Sequence, residues 1–397
     1  MLQDLRVIDA ASYVAGPAAA TVMGDYGADV IKIEPPSGDG YRGLAARYRT
    51  NYNWLLTSRH KRSLALDINR EEGQDTLLSL IESADVLLVN FNAAQLKKYR
   101  LTYDDLKLRN PRLIFAHITG YGTRGPDAGR RAFDVAAWWA RSGIMDMMKP
   151  LGGAPINGVG GVGDHASAMS LFGAIMMALY QREKTGKGSY VATSLAANGA
   201  WSNGMHLQGA IAGYDLSAML DAKGYRSPFV NTYQSRDGRY VVLVGPNSQR
   251  EWPRICEAMG RSDWLSDPRF VDIAAIMKQG DEVKQLFAGE FAKRTLNELV
   301  RVLDENDVTY SVVEKLQDVL QDAHLMENDV IIKTNSDNPD FQWTVNSPIE
   351  VGGVSKKPVT EAPDVGQHSR VVLGEAGFSE ADIDKLLRLG VVKGPSN

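Results

Sequence analysis

Cysteine is almost absent from these 397 residues, and Cys256 stands alone. One thiol excludes an intrachain disulfide and removes the cysteine clusters of structural zinc, so a reducing compartment suits the chain and Cys256 reads as a core thiol. Charge of one sign is missing too. The 44 Lys and Arg residues nearly balance 48 Asp and Glu, and the net charge is −4. That excludes a general attraction to nucleic acid or anionic membrane, and an anionic ligand must find a local patch. The opening residues Met1–Leu5 lack a basic stretch followed by an apolar run, so no secretion signal is read and a cytoplasmic location is expected. Long hydrophobic runs are scarce: Ala166–Tyr180 falls short of the ~17–25 residues that span a bilayer and runs into Arg182, Glu183 and Lys184, so a buried helix is expected. The six histidines include no i, i+4 pair and no H-E-x-x-H, so no metal site is expected, and the G-x-S-x-G elbow of serine acyl enzymes is missing.

What is present has the texture of a folded protein, with 44% hydrophobic and 23% charged residues. The length suits two unequal domains better than one core. Short β-branched runs alternate with helical patterns over the first 120 residues, which predicts βαβ units. Strands are expected at Leu5–Ile8, Ala28–Ile33, Ser63–Ile68, Asp85–Phe91 and Leu113–Ile118. Helices are expected from Pro17, over Glu71–Ala84, Ala93–Tyr99 and Phe133–Arg141, and from Asp164 or His165 to about Gln181. From about Pro228 a strand, a turn at Asp237-Gly238 and a second strand open a smaller domain, with helices at Gln249–Met259 and Gly280–Ala292. The chain then returns to short strands near Val330–Lys333 and Ile349–Val351 and a helix at Glu380–Arg388.

Three features invite chemistry, each beside a plainer explanation. Between Asp39 and Asp67 no acid occurs, yet Arg42, Arg47, Arg49, Arg59, Lys61 and Arg62 do; they form either a solvated loop or an anchor for phosphates. Gly158, Gly160 and Gly163 spell G-x-G-x-x-G, but Lys149–Pro155 ahead of them has two prolines and no buried strand, so dinucleotide binding is not expected. Asp164 then opens the apolar helix. It reads as an N-cap, or as a nucleophile whose carboxylate the positive end of the helix dipole keeps ionised.

Taken together the segments resemble the class III CoA-transferases, the CaiB/BaiF family. The resemblance is carried by Val7-Ile8-Asp9 with Ala15-Gly16-Pro17, by Gly27–Glu34, by Lys61-Arg62-Ser63 with Leu66-Asp67, and by Asp85–Phe91. Asn110–Ile114, Gly120-Tyr121-Gly122, Gly163-Asp164, Lys184–Gly188, Asp237-Gly238 and Gly366-Gln367-His368 extend it over about 360 residues. The family implies an open, mostly parallel α/β sheet of Rossmann-like type in a large CoA-binding domain (residues 1–225 and 326–397). It also implies a smaller α+β domain (226–325) and an interlocked homodimer.

By the same resemblance Asp164 matches the aspartate that attacks an acyl-CoA thioester. Coenzyme A is then a carried substrate rather than a tightly bound cofactor, and the partners are acyl-CoA and small carboxylic acids. Val14, Ala15, Leu66, Asn69, Asn90, Phe91, Lys98, Tyr99 and Arg131 match CoA contacts. Val14, Asn69 and Lys98 depart from the formyl-CoA branch, which has glutamine, lysine and arginine there; by the resemblance, loss of the glutamine amide at Val14 removes a polar group from the acyl site and favours a larger or less polar acid. Phe133-Asp134 stands where the racemase branch has His-Asp, which removes a second base for α-proton exchange and favours transfer. The pairs Phe133-Asp134 and Asp164-His165 look more like the branch acting on 2-hydroxy, aryl or branched acids. A 2-methylacyl-CoA racemase and a non-catalytic CoA-binding protein remain the alternatives.

Overall fold

Five apolar runs of the first 120 residues become strands: β1 Arg6–Asp9, β2 Asp29–Glu34, β3 Lys61–Leu66, β4 Val86–Val89 and β5 Ile114–Thr119. A sixth, β6 Tyr190–Ser194, follows much later. This computed structural model describes residues 1–45, 47–149, 152–216 and 227–395, and the backbone alone of 220, 221, 224 and 225. Pro150 and Leu151, in the segment Lys149–Pro155 ahead of the three glycines, and Arg226, where the sequence reading starts the small domain, lie outside the described residues.

The sheet runs Val392–Lys393, β3, β2, β1, β4, β5, β6 from edge to edge. The six numbered strands are parallel, and Val392–Lys393 lies antiparallel on β3. This is the doubly wound order in which the chain reverses its direction of growth between β1 and β4. Both faces are covered, so the inner strands are mostly apolar and buried, and Asp9, Lys32, Glu34, Lys61, Ser63 and His117 within them are buried too. Ile8, Ile31, Leu64, Leu87 and Phe115 face the helix Glu71–Glu82 and the C-terminal helices Ser369–Glu375 and Glu380–Arg388. Val7, Val30, Val86, Leu88 and Ile114 face the first helix, Ala15–Asp25, and the long helix Val162–Thr185. The motif Gly366-Gln367-His368 docks this C-terminal layer: Gly366 N donates to Ser63 Oγ at 2.8 Å, His368 N to Ser63 O at 3.0 Å, and a Cβ on Gly366 would lie 2.3 Å from Lys393 O.

Two compact units divide the chain: residues 1–145, 157–205 and 323–397 form the larger, and residues 146–156 and 206–322 the smaller. The smaller unit has an antiparallel sheet of Val230–Gln234, Tyr240–Val244 and Tyr310–Val312. Its core of Phe229, Tyr233, Trp252, Trp264, Phe287 and Phe291 encloses Cys256, whose thiol burial pushes up to about 12. A thiol that stays protonated at neutral pH is a packing group.

Two expectations give way. No strand forms at Ile349–Val351; Ile331–Lys333 pairs instead with Trp343–Val345, and Val351 makes one bridge to Val354. The apolar helix at Ala166–Tyr180 extends over Val162–Thr185 and is long and apolar enough to cross a membrane by length and composition, with 39% of its most apolar stretch buried. One face packs inward through Leu171, Ile175 and Ala178, while Met177 and Tyr180 are exposed.

Candidate active site

The chain leaves β1 and β4 in opposite directions, and the crevice beyond their carboxyl ends is where open α/β sheets bind ligands. Asn90, just past β4, ties the two exits together. Its Oδ1 accepts from Ser12 N at 3.1 Å and its Nδ2 donates to Ser12 O at 2.9 Å. Alongside lies a cavity of about 180 Å³ whose lining includes Ala10, Ser12, Leu66, Asn69, Phe91 and Tyr99. Lys98 Nζ and Tyr99 OH both donate to Asn69 Oδ1, at 2.7 and 3.3 Å, and Tyr99 meets Phe91 edge-on at 5.3 Å. Six of the residues singled out from sequence thus meet here. Val14 and Ala15 are buried at the start of the first helix. Arg131 is exposed and does not line the cavity. His117, which sequence reasoning passed over, supports the wall from beneath: Nε2 lies 2.8 Å from Phe91 O and Nδ1 2.9 Å from Tyr190 OH, and burial holds its pKa below the usual imidazole range.

The cationic stretch is mostly neither a solvated run nor a free phosphate anchor, because five of its six cations pair with acids from outside it. Arg42 pairs with Glu34 at 2.8 Å, Arg49 with Asp340, Arg59 with Asp25 at 2.9 Å, and Lys61 with Asp9 at 2.8 Å. Arg62 reaches Asp29 at 2.7 Å and Glu375 at 2.8 Å. Arg47, which is exposed, donates to the Tyr48 hydroxyl. Arg59, Lys61 and their acids are almost wholly buried, so these pairs tie β3 and the chain just ahead of it to β1 and the first helix.

The helix containing Asp164 is capped differently from the sequence reading. Its cap is Gly161, left-handed at φ 90, so Asp164 is the third helical residue and makes no cap bond. The capping carboxylate is Asp134: one oxygen, Oδ2, accepts from Gly161 N at 2.7 Å and Gly163 N at 3.2 Å. Asp134 is buried and precedes Val135–Ala140, where the expected helix forms as a single π turn. Trp138 of that turn lies against Gly163 so closely that a Cβ there would be 2.5 Å from the ring, and Trp139 Nε1 donates to Val159 O at 3.2 Å. The G-x-G-x-x-G glycines thus follow irregular chain rather than a strand, and two of them, Gly158 and Gly163, pack on the indoles of Trp139 and Trp138.

Asp164 is half-buried, and desolvation followed by the charge of Asp134 pushes its carboxyl up to about 7. This overturns the expectation that the helix end keeps it fully ionised. Asp134 already occupies two of the N–H groups that would have done so, and burial outweighs the remaining field. Around it stands an aromatic group that the sequence did not announce. Tyr13 has φ 68, a strained conformation for a side chain of its size. Tyr13 N and Tyr41 N both donate to Asp39 Oδ1, at 3.3 and 2.9 Å, and Asp39 is itself paired with buried Lys32 at 3.1 Å. Burial works against the Asp39 charge, but Lys32 and these N–H groups hold its carboxyl below the usual range. Tyr13 meets Phe133 edge-on at 5.3 Å and Tyr41 at 6.5 Å. Burial and the nearby charge of Asp164 push the Tyr41 phenol up to about 12.

A switch-point cavity on an open sheet suits a nucleotide-bearing substrate, and a carboxylate poised between its two forms suits covalent group transfer. The chain belongs to CoA-transferase family III, whose pattern it matches over residues 2–369, and it is an enzyme of that class. Among its relatives, (R)-2-hydroxy-4-methylpentanoate CoA-transferase of Clostridioides difficile is 29% identical, covering 99% of this chain and 100% of its own. Cinnamoyl-CoA:phenyllactate CoA-transferase of Clostridium sporogenes is 29% identical, over 97% of this chain and 96% of its own. The crystal structure of a CAIB/BAIF family protein from Brucella suis superposes with a TM-score of 0.83 at 25% identity, covering 94% of this chain and 99% of that one. Among the described residues no group of His, Cys, Asp and Glu is placed to hold a metal ion.

Proposed function

We propose that the chain exchanges coenzyme A between an acyl-CoA and a free carboxylic acid through covalent intermediates on Asp164. The ionised carboxylate attacks the thioester carbonyl, forming a mixed anhydride and releasing CoA thiolate. The thiolate attacks the aspartyl carbonyl, giving an aspartyl-CoA thioester and freeing the donor acid. The acceptor carboxylate then displaces CoA to form a second anhydride. Attack of the thiolate on the acceptor's carbonyl yields the new acyl-CoA and restores Asp164. Each step trades one activated acyl bond for another, which is the advantage of covalent catalysis. The observation that carries this reading is a half-buried carboxylate that pairs with no basic side chain among the described residues and titrates at about 7.

In this reading Leu66, Asn69, Asn90, Phe91, Lys98 and Tyr99 receive the CoA moiety at the cavity past β1 and β4, with Val14 and Ala15 at the adjoining helix start. Tyr13, Tyr41 and Phe133 form an apolar wall for the acid, which favours branched or aryl acids over formate or oxalate. The relatives named for a 4-methylpentanoate and for cinnamoyl and phenyllactate groups support that preference. The working form in this proposal is a homodimer, since Met177, Tyr180, Trp201 and Met205 present apolar surface that a second copy would cover.

Intact mass spectrometry after addition of an acyl-CoA tests the mechanism. Wild type should gain a CoA-sized adduct, and Asp164→Ala should gain none and lose transfer by at least ~10³-fold. Exchange between acids with no Asp164-dependent adduct would overturn it.

A further inference from the structure

The nucleophile's turn is built around a second carboxylate for which the covalent steps above have no use. We propose that Asp134 is the positioning residue of the reaction, fixing the first turn of the long helix and setting the charge environment in which Asp164 ionises. This inference rests on the covalent role of Asp164 given above.

The geometry favours a dedicated part over an incidental cap. A single buried oxygen takes both Gly161 N and Gly163 N, the residues just ahead of Asp164. That bond is made from a distant segment, whereas a helix is ordinarily capped by its own preceding residue. The chosen acceptor is also the costly one. An asparagine, serine or threonine oxygen would cap equally well, while a carboxylate adds a negative charge beside Asp164 with no basic partner among the described residues. Two adjacent acids without a cation are a known way of holding one of them protonated near neutral pH. The burial of Asp164 acts in the same direction.

The other titratable groups around the pair are engaged or far from ionising. Burial and the Asp164 charge push Tyr41 up to about 12. Burial and Arg59 hold His165 below the usual imidazole range against the opposing pull of Asp134, and Arg59 itself is bound to Asp25 at 2.9 Å. Arg141, which follows the π turn, pairs with Asp127 at 2.9 Å. In β5, His117 is held between Phe91 O and Tyr190 OH. Burial gives the larger part of the rise at Asp164, and Asp134 is the charged neighbour that adds to it, so removing that charge should move the acid limb.

Single-turnover formation of the CoA adduct, followed by quenched mass spectrometry from pH 5 to 9, separates positioning from charge. Asp134→Asn keeps an acceptor oxygen and removes the charge, and it should move the acid limb down by about one pH unit with little change in the plateau rate. Asp134→Ala also removes the acceptor, so its plateau rate should fall ~10–100-fold. If the alanine variant does not fold, the asparagine variant decides the matter, because a merely structural cap would leave the acid limb where wild type has it. An unmoved limb in Asp134→Asn, with adduct still formed, overturns this inference alone. Absence of any adduct in wild type overturns the covalent mechanism and this inference with it.

Discussion

Two clusters of buried charge a short way apart in the larger unit follow opposite rules. Behind the first helix, Arg59 grips Asp25 with two bonds of 2.9 Å, donates to Val345 O, and is 1% exposed. At the start of the long helix, Asp134 and Asp164 lie beside one another with no such cation. The first arrangement satisfies each charge and locks the segment near Val345 to the helix. The second leaves a carboxyl at about 7. One cluster stabilises the fold, and the other gives up stability and, in the proposed mechanism, keeps the attacking carboxylate ready.

The comparison breaks most easily at its structural half. Asp25→Asn would leave the Arg59 guanidinium buried and uncompensated, because its other partner is the neutral Val345 carbonyl. A loss of about 3–5 kcal/mol is expected, read as a large drop in thermal midpoint. A midpoint within a few degrees of wild type would mean that the pair contributes little.

The reactive half should respond in the opposite sense. The folded pKa of Asp164 lies above its unfolded value, so the folded state binds the proton more tightly. That contribution is full below about pH 4, declines as the pH rises, and is gone once it passes through about 7. Asp164→Asn has no such loss. It should gain on wild type from pH 5 to pH 8, by about 1–2 kcal/mol after allowance for the solvent that reaches the group. Midpoints for the two proteins that run parallel over that range would contradict the pKa assignment.

How much of this contrast could be read from sequence depends on how far apart the partners lie. Strands β1 to β5 each carry a short buried apolar run because both sheet faces are covered, and those runs announce them. The edge strand β6 was missed, since Tyr190–Ser194 alternates exposed and half-buried positions and resembles a loop. Asp164 was legible as a residue but not in its environment. Its neighbour Asp134 reaches Gly161 across 27 positions, and nothing local in the sequence signals that a carboxylate will arrive. The cationic stretch misled for the same reason: Asp9, Asp25, Asp29 and Glu34 precede it, Asp340 and Glu375 follow it, and only the fold brings them together.

The aromatic wall beside the reactive cluster sharpens the contrast on the side of specificity. Phe133 is 60% exposed with its edge on Tyr13, so it costs the fold little and is free to meet a ligand. Phe133→Ala should lower kcat/KM for an aryl or branched acid by about 5–10-fold, the worth of one partly lost aromatic contact, with a smaller change for acetate. Equal losses for both acids would place Phe133 outside the acyl site.

The smallest effect is expected in the cavity past β1 and β4. Lys98 Nζ is 2.7 Å from Asn69 Oδ1 and 5.1 Å from the Tyr99 ring centre, so at rest it is held by neutral groups rather than by an acid. A lysine without a carboxylate partner can turn to a phosphate at little cost, whereas Arg42 or Arg62 would have to abandon an ion pair. Lys98→Ala should therefore raise KM for acyl-CoA about threefold to tenfold, leave kcat unchanged, and flatten the dependence of KM on ionic strength. An unchanged KM, or a loss confined to kcat, would move the phosphates of CoA away from this edge of the cavity.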